Sequence, residues 1–194
     1  MIDNGVSAAF CVPFFGPLPP YFIHWVKSCE INHPHFHWFV YSDHVRAARR
    51  LNRAVTMIPY TFDAMSLDFR NILGIEIFRG NFRKICDYRL LFYSLRREIE
   101  PLDQYDFIGY TDMDMIYGDL TRFMPDDTRG YDMISGDDGH PCGPFTLINR
   151  KSVSGLSELP RVRAEMAGRE YREFDESPEF MEIVSAGSPV CCRT

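Results

Sequence analysis

Residues 105–119 (YDFIGYTDMDMIYGD) join an apolar stretch to a group of acidic residues. The first part, residues 105–110, is aromatic and apolar, which is typical of a buried strand. The strand leads into Asp112 and Asp114, and alternation along an extended chain would point both carboxylates the same way and turn Met113 towards the core. Apolar side chains surround these acids, although such side chains gain nothing in a solvated loop. We therefore predict a buried strand that ends in a functional acidic turn.

Patterns of strand and helix alternate on both sides of this segment. We predict further strands at residues 7–15, 36–41, 54–59, 131–135 and 145–149, and helices at residues 21–30, 42–52, 81–98 and 152–159. Residues 61–79 are expected to hold short helical turns, and the tail at 184–194 matches neither a packed strand nor a cap. The alternation indicates an α/β sheet with helices on both faces, and the absence of a linker or repeat favours one domain over residues 1–194.

Composition and charge exclude several classes of protein. The chain has 194 residues, 45% of them hydrophobic, so it can bury a sizeable core and disorder is a poor interpretation. The formal net charge is −6 and no long basic run occurs, which argues against nucleic acid as the main partner. We found no apolar run near the roughly 20 residues of a transmembrane helix and no secretion signal. We therefore predict a cytoplasmic protein, with attachment to the inner membrane face left open.

The acidic turn suits a divalent cation. Asp112 and Asp114 would repel each other at close range, and a hard cation beside them relieves that repulsion. Open α/β sheets bind ligands just beyond the carboxyl ends of their strands, where this turn falls. Carboxylate and phosphate oxygens suit Mn²⁺ or Mg²⁺, and such an ion would neutralise a diphosphate leaving group. The alternative is a plain solvated loop, because D-x-D is a common tripeptide.

Three motifs in a fixed order resemble a family of uncharacterised, mostly bacterial presumed glycosyltransferases with the GT-A fold. The motifs are residues 13–21 (PFFGPLPPY), 84–89 (KICDYR) and 109–119 (GYTDMDMIYGD). The resemblance covers nearly the whole chain and implies one GT-A-like (Rossmann-like) domain with a mixed, mostly parallel sheet. Many GT-A enzymes complete the metal site with a later histidine or acid. No histidine follows Glu176, so we expect the C-terminus to be truncated or diverged.

The resemblance also implies roles for particular residues in binding a nucleotide sugar. The first strand and its loop would hold the base and ribose, the helix that begins near Lys84 would lie beside the diphosphate, and the acidic turn would bind the cation and the ribose. The nucleotide-sugar contacts expected on this basis are Pro13, Phe14, Phe15, Lys84, Asp87, Tyr88, Asp112, Met113 and Gly143, and the expected metal ligands are Asp112 and Asp114. The spacing of Lys84 and Asp87 is also that of an ordinary i, i+3 salt bridge on a helix surface.

Two later segments complete the predicted site. Gly143 lies in a glycine-rich loop at residues 136–144, which in GT-A enzymes would approach the donor sugar and the acceptor; the alternative is a plain turn. Asp175 and Glu176 would supply the general base of an inverting transfer or an acceptor contact. The alternative for this pair is a charged surface stretch.

The sequence therefore predicts a metal-dependent glycosyltransferase of the hexosyltransferase type. It would move a sugar from a nucleoside-diphosphate sugar to a glycan or other hydroxyl acceptor, in the synthesis of surface polysaccharide. The alternatives are a non-catalytic relative that binds a nucleotide or glycan, and a metal-dependent phosphohydrolase. A dinucleotide-dependent oxidoreductase is disfavoured, because prolines follow the first strand where a phosphate cradle needs N–H donors. No feature of the sequence indicates an oligomeric state.

Overall fold

Eight strands form one sheet in the described part of the chain. The structure is a computed structural model that describes residues 6–128, 130–137, 140–185 and 190–192, the last three by their backbone. The strands, in chain order, are β1 (Ala8–Pro13), β2 (Phe36–Ser42), β3 (Arg49–Arg50), β4 (Val55–Pro59), β5 (Phe107–Tyr110), β6 (Met133–Ser135), β7 (Thr146–Asn149) and β8 (Val190–Cys192).

The order of the strands across the sheet is β3-β4-β2-β1-β5-β7-β6-β8. β1 pairs in parallel with β2 and β5, β2 with β4, and β6 with β8. The pairs β3–β4, β5–β7 and β6–β7 are antiparallel. The predicted mixed, mostly parallel α/β sheet is therefore confirmed. After β1 the chain builds β2 and β4 on one side and then returns to place β5 on the other, so the order reverses at β1.

Helices cover both faces of this sheet, as predicted. They are α1 (Phe22–Glu30), α2 (Phe62–Leu73), α3 (Ile85–Tyr88), α4 (Phe92–Arg96), α5 (Arg150–Val153), α6 (Pro160–Ala167) and α7 (Pro178–Val184). On one face Trp25 of α1 packs in a cluster with Phe10 and Trp38. The cluster on the other face contains Phe69 of α2, Phe92 of α4 and other side chains from the remaining helices. Within the described ranges, no helix is both long and apolar enough to cross a membrane.

A helix of 12 residues, α2, occupies the stretch where only short helical turns were predicted. The Thr61 side chain accepts a hydrogen bond from the Ala64 amide at 3.1 Å, which caps the first turn. Gly74 ends the helix with φ of 63°, a conformation that favours glycine. Both caps were present in the sequence, so the helix follows from local signals that the prediction underrated.

The helix predicted at residues 42–52 is wrong. Ser42 belongs to β2, turns follow it, and Arg49–Arg50 forms β3 against the edge of β4. Most side chains between residues 43 and 50 are exposed, so a helix here would have had little apolar surface to bury. The Arg50 guanidinium instead donates to the carbonyls of Asn52 and Arg53, at 3.0 and 2.7 Å, and holds the turn before β4.

Residues 81–98 form a chain of short helical turns in place of the one regular helix predicted. The 3-10 turns Phe82–Lys84 and Arg89–Leu91 alternate with α3 and α4. Buried apolar and ion-paired side chains surround this segment on several sides, and these tertiary contacts override a single α-helical period.

Two further predictions need correction near the C-terminus. Residues 152–159 are divided between α5 and a 3-10 turn at Leu156–Glu158, because Gly155 interrupts the helix between them. The tail, predicted to contain no packed strand, contributes β8, whose backbone pairs in parallel with β6. Strand pairing satisfies backbone N–H and C=O groups whatever the side chains are. A strand such as β8 can therefore form although the apolar pattern of its sequence is weak.

We expect Gly109→Ala to lower the free energy of unfolding by roughly 1–3 kcal/mol, because the added methyl group would overpack the sheet. A Cβ at Gly109 would collide with the Thr146 carbonyl oxygen of β7 and meet the Phe10 ring of β1. Gly155→Ala is the matched control, since a Cβ there meets nothing within 4 Å. Urea unfolding of both variants measures the difference, and equal losses would contradict the close approach of the strands.

Candidate functional site

A cleft of about 250 Å³ opens where the order of the strands reverses, beyond the carboxyl ends of β1 and β5. Such a crevice is the usual ligand site of an open α/β sheet. One wall comes from the end of β1, the opposite wall from the acidic turn after β5, and the rest from the segment around α3. The lining residues are Val12, Pro13, Phe14, Tyr21, Ile85, Cys86, Arg89, Thr111, Asp112, Met113 and Asp114.

The acidic turn is anchored so that its carboxylates reach this cleft. Thr111 Oγ1 donates to the Pro144 carbonyl oxygen at 2.6 Å and shares a hydrogen bond with the Tyr117 hydroxyl. Met113 is buried in the core, as predicted, whereas Asp114 is exposed and the Asp112 side chain is 38% exposed. The alternation expected from the sequence is only partly present, because residues 113 and 114 form a turn and Met113 lines the cleft together with both acids.

Arg89 joins the acidic turn to a distant segment of the chain. Its Nη1 donates to Asp112 Oδ1 at 2.8 Å, and its Nε and Nη2 donate to Asp175 Oδ2 at 3.0 and 2.5 Å. The guanidinium also lies over the Tyr110 ring, 4.3 Å from its centroid, and the Tyr110 hydroxyl donates to the backbone carbonyl of Asp175. One cation therefore fixes the position of Asp112 relative to the segment that carries Asp175.

Arg89 is absent from the sequence-predicted site, although it closes the motif at residues 84–89. A signal was available, because an arginine between apolar neighbours in a segment expected to pack requires a carboxylate partner. Its partners Asp112 and Asp175 lie 23 and 86 positions away, so residue order alone could not identify them.

Asp175 is fully buried, and only one of its carboxylate oxygens has a partner among the described residues. Oδ2 receives both Arg89 bonds, whereas Oδ1 is buried without a hydrogen bond. Burial raises the pKa of Asp175 to about 6, although the guanidinium of Arg89 favours the carboxylate form. The two acids predicted to supply the general base thus differ, because Asp175 is buried and ion-paired and Glu176 is accessible.

Glu176 lies beside the glycine-rich loop, at the edge of the same charged group. Its side chain is 40% exposed, and its Oε1 lies 4.0 Å from Arg89 Nη2. A Cβ at Gly143 would collide with Glu176 Oε1 and would lie 2.9 Å from Arg89 Nη2 and 3.3 Å from Asp112 Oδ2. A side chain at Gly143 would have to displace the end of Glu176 or Arg89, so the structure brings this loop, both acidic segments and Arg89 together.

Lys84 and Asp87 lie outside the lining of the cleft. Lys84 is fully buried, and its Nζ donates to the Glu170 carbonyl at 2.7 Å, to Asp87 Oδ2 at 3.2 Å and to Glu165 at 3.4 Å. Asp87 Oδ1 accepts the Phe174 amide at 2.9 Å. This pair therefore ties α3 to residues 165–174, and the i, i+3 salt bridge is buried rather than on the surface. Contact with a diphosphate stays a prediction for these two residues.

Tyr88 and Phe15 also face away from the cleft. The Tyr88 hydroxyl accepts a hydrogen bond from the Phe78 amide at 3.0 Å and donates one to the Phe78 carbonyl. These two bonds close the loop between Phe78 and Tyr88. Phe15 packs against Tyr60 and Phe62, with ring centroids 6.5 and 5.9 Å apart. Of the three residues expected to hold the base, Pro13 and Phe14 line the cleft and Phe15 does not.

The two acids of the turn would suit a cation that keeps some of its hydration water. Mg²⁺ commonly takes one or two protein carboxylates and fills its remaining positions with water and phosphate oxygens. Asp112 and Asp114 supply two such carboxylates, although Asp112 already accepts a bond from Arg89. Among the residues that the structure describes, no group of three or more histidine, cysteine or acidic side chains forms a complete cage. A cation at these two acids, shared with a phosphate-bearing ligand, therefore stays a prediction.

The fold and cleft define an α/β protein with a carboxylate-lined crevice at the point where its sheet reverses order. The chain belongs to a family of unknown function, DUF6625, whose family model matches residues 10–191. No curated protein matches the sequence.

Two solved structures are distantly similar over 97% of the chain. An active-site mutant of LgtC aligns with 16% identity, a TM-score of 0.45 and coverage of 73% of that chain. The apo form of the glycosyltransferase GlyE of Streptococcus pneumoniae TIGR4 aligns with 11% identity and a TM-score of 0.47. The chain spans 45% of the length of GlyE. Likenesses this distant assign no reaction to the chain.

We expect Arg89→Met to lower the free energy of unfolding by roughly 3–5 kcal/mol, because it leaves the buried Asp175 carboxylate without a counter-charge. The double variant Arg89→Met, Asp175→Asn should lose less than Arg89→Met alone, since the unpaired charge is then gone. Urea unfolding of both single variants and the double variant measures the coupling. Additive losses would mean that the two side chains are not coupled.

Titration of Asp175 should also be visible in stability. Because its pKa is raised from 3.8 to about 6, the folded chain holds this proton more tightly than the unfolded chain does. The contribution of protonated Asp175 to the free energy of unfolding is therefore complete below about pH 4 and is lost as the pH rises through about 6. We expect the stability of the native chain, relative to Asp175→Asn, to fall across this range and to level off above pH 7. A difference that rises with pH would contradict the raised pKa.

Proposed function

We propose that this protein is a glycosyltransferase that moves a hexose from a nucleoside-diphosphate sugar to a hydroxyl group of a glycan or other acceptor. The observation that supports this most strongly is the cleft at the reversal point of the sheet, with Asp112 and Asp114 on one wall and Pro13 and Phe14 on the other. A carboxylate-lined crevice at this position suits a ligand that carries phosphate. The ordered motifs of the sequence add support, because they resemble presumed glycosyltransferases.

In this proposal the donor spans the cleft from its apolar wall to its acidic wall. Pro13 and Phe14 offer a surface for the base, and Asp112 and Asp114 would hold Mn²⁺ or Mg²⁺ beside the diphosphate. When bound, the cation would neutralise the charge that develops on the departing diphosphate. Arg89 keeps one Asp112 oxygen oriented and leaves the other, which faces Gly143, available.

Glu176 is the better placed of the two acids that were predicted to act on the acceptor. A general base must reach the hydroxyl proton directly or through one water molecule. The Glu176 carboxylate is 40% exposed beside Gly143, whereas Asp175 is fully buried and bonded to Arg89. We therefore assign proton acceptance to Glu176 and assign to Asp175 the positioning of Arg89. The expected outcome is inversion of configuration at the anomeric carbon.

The pairing of Asp112 with Arg89 favours a second candidate, a relative that binds a nucleotide or glycan without catalysis. A guanidinium 2.8 Å from Asp112 Oδ1 competes with any cation for that oxygen. Cation affinity would then be low, and a ligand would be held chiefly by the cleft walls. Turnover separates the two candidates, because only the transferase consumes the donor.

We expect a thermal-shift panel of UDP-, GDP-, CMP- and dTDP-sugars to identify one donor that raises the midpoint by several degrees only when Mn²⁺ is present. The shift should disappear in Asp114→Ala, which removes a proposed ligand from the cleft. Asp126→Ala is the matched control, because Asp126 is exposed and lies outside the cleft lining.

Turnover of that donor then distinguishes the candidate reactions. Release of the nucleoside diphosphate with a new glycosidic product supports the transferase. Release of inorganic phosphate without sugar transfer indicates the phosphohydrolase, and binding without turnover indicates the non-catalytic relative. If no nucleotide shifts the midpoint with or without metal, the proposal fails.

A further inference from the structure

A second cavity, of about 290 Å³, begins where the acidic turn ends. Residues 115–118 form one wall, immediately after Asp114 of the cleft, and Phe123 and Met124 extend that wall. The opposite wall comes from residues 134–136 of β6 and from Phe145. No described residue lines both spaces, and consecutive stretches of chain, residues 111–114 and 115–118, contribute to the cleft and to this cavity.

The lining of this apolar cavity differs chemically from that of the cleft. Among the described residues that line it, none is a lysine, arginine, histidine, aspartate or glutamate. The two hydroxyl groups in its walls are already bonded: Tyr117 to Thr111, and Ser135 to the sulfur of Cys142. A charged group would therefore lose its hydration on entering without gaining an oppositely charged side chain among these described residues. An apolar group would lose nothing and would bury surface.

Large apolar side chains continue from the cavity to the surface. Ile116 is 64% exposed and Phe123 is 61% exposed, and both belong to the lining. The cavity is thus open to the outside through an apolar rim, which suits one end of a chain that continues beyond it. A volume of about 290 Å³ is close to the lower limit, roughly 300 Å³, of typical ligand pockets.

The position of the cavity relates it to the proposed chemistry. Residues 136 and 145, in its far wall, bracket the loop whose Gly143 approaches Asp112 and Glu176. Gly136 and Phe145 are hydrogen-bonded at the base of this loop, so the cavity adjoins the base of the loop and Glu176 lies beside Gly143 of the same loop. The cleft receives the charged donor, and this neighbouring space is the complementary place for an uncharged group.

We propose that the apolar cavity binds the hydrocarbon chain of an amphiphilic acceptor, a sugar joined to a linear lipid. The role of this molecule as an acceptor rests on the proposed function. The binding of its hydrocarbon chain does not, and it is tested without a donor. The inference assigns a substrate class to the transferase. The acceptor hydroxyl belongs to a lipid-linked sugar, and burial of the lipid chain supplies affinity for that acceptor.

Calorimetric titration with methyl, butyl and octyl β-glucopyranoside tests the site, with the octyl compound kept below its micelle concentration. Each buried methylene should contribute about a fourfold gain in affinity, so the octyl compound should bind at least tenfold more tightly than the butyl compound. The methyl compound should show little binding, because it carries no chain for the cavity.

Gly118→Leu should reduce octyl binding at least tenfold by narrowing the cavity. Gly118 lines it, and a Cβ there meets nothing within 4 Å, so the larger side chain has room without displacing the wall. Gly155→Leu is the matched control, since Gly155 is equally open and lies outside the cavity. Ile116→Ser replaces a mostly exposed rim side chain, so the fold should be retained while octyl binding falls several-fold.

Equal affinity for the butyl and octyl compounds would overturn the proposal, as would unchanged octyl binding in both Gly118→Leu and Ile116→Ser. The nucleotide panel described above reads out the donor site independently. If octyl binding behaves as expected and no nucleotide binds, the apolar site stands and the transferase proposal fails. If a nucleotide binds with Mn²⁺ and chain length has no effect, only the lipid-linked acceptor is excluded.

Discussion

The ion pairs of Arg89 determine the geometry on which the candidate site depends. A buried guanidinium is costly to desolvate, so it is retained only where carboxylates surround it, and here those carboxylates come from Asp112 and Asp175. The Tyr110 ring beneath the guanidinium and the hydrogen bond from the Tyr110 hydroxyl to the Asp175 carbonyl leave Arg89 little freedom to shift. Asp112, Glu176 and the bare backbone at Gly143 keep their mutual positions because of this one charge.

The short motif at residues 84–89 acts in two directions. Lys84 and Asp87 point away from the cleft and fasten residues 165–174 through buried polar contacts, whereas Arg89 points into the cleft and fastens the acidic turn. Arg89 also bonds to Asp175, so all three side chains contact the segment at residues 165–175. Ion pairs and hydrogen bonds, as well as apolar packing, therefore hold the late part of the chain against the early part of the sheet. These contacts fix the position of the segment that carries Asp175 and Glu176.

The sequence was most informative where local pattern and tertiary structure agree. The buried strand before the acidic turn, the inward Met113 and the alternation of strands and helices all follow from periodicity. The helix expected at residues 42–52 failed because its side chains have little apolar surface to pack against, and the edge of β4 offered backbone partners instead. Lys84 was placed beside a diphosphate by the resemblance, whereas its contacts with Glu165 and the Glu170 carbonyl could not be predicted from the sequence. Such partners, about eighty residues distant, leave no trace in local spacing.

The two-residue strand β3 has a consequence for the behaviour of the protein in concentrated solution. It covers part of the outer side of β4 with Arg49 and Arg50, both exposed, on a ribbon too short to serve as a template for a further strand. The like charges of two approaching molecules would repel each other at this edge of the sheet. The short strand would also offer few backbone groups for hydrogen bonds between the molecules. This side of the molecule is consequently protected against the edge-to-edge association that leads open sheets to aggregate.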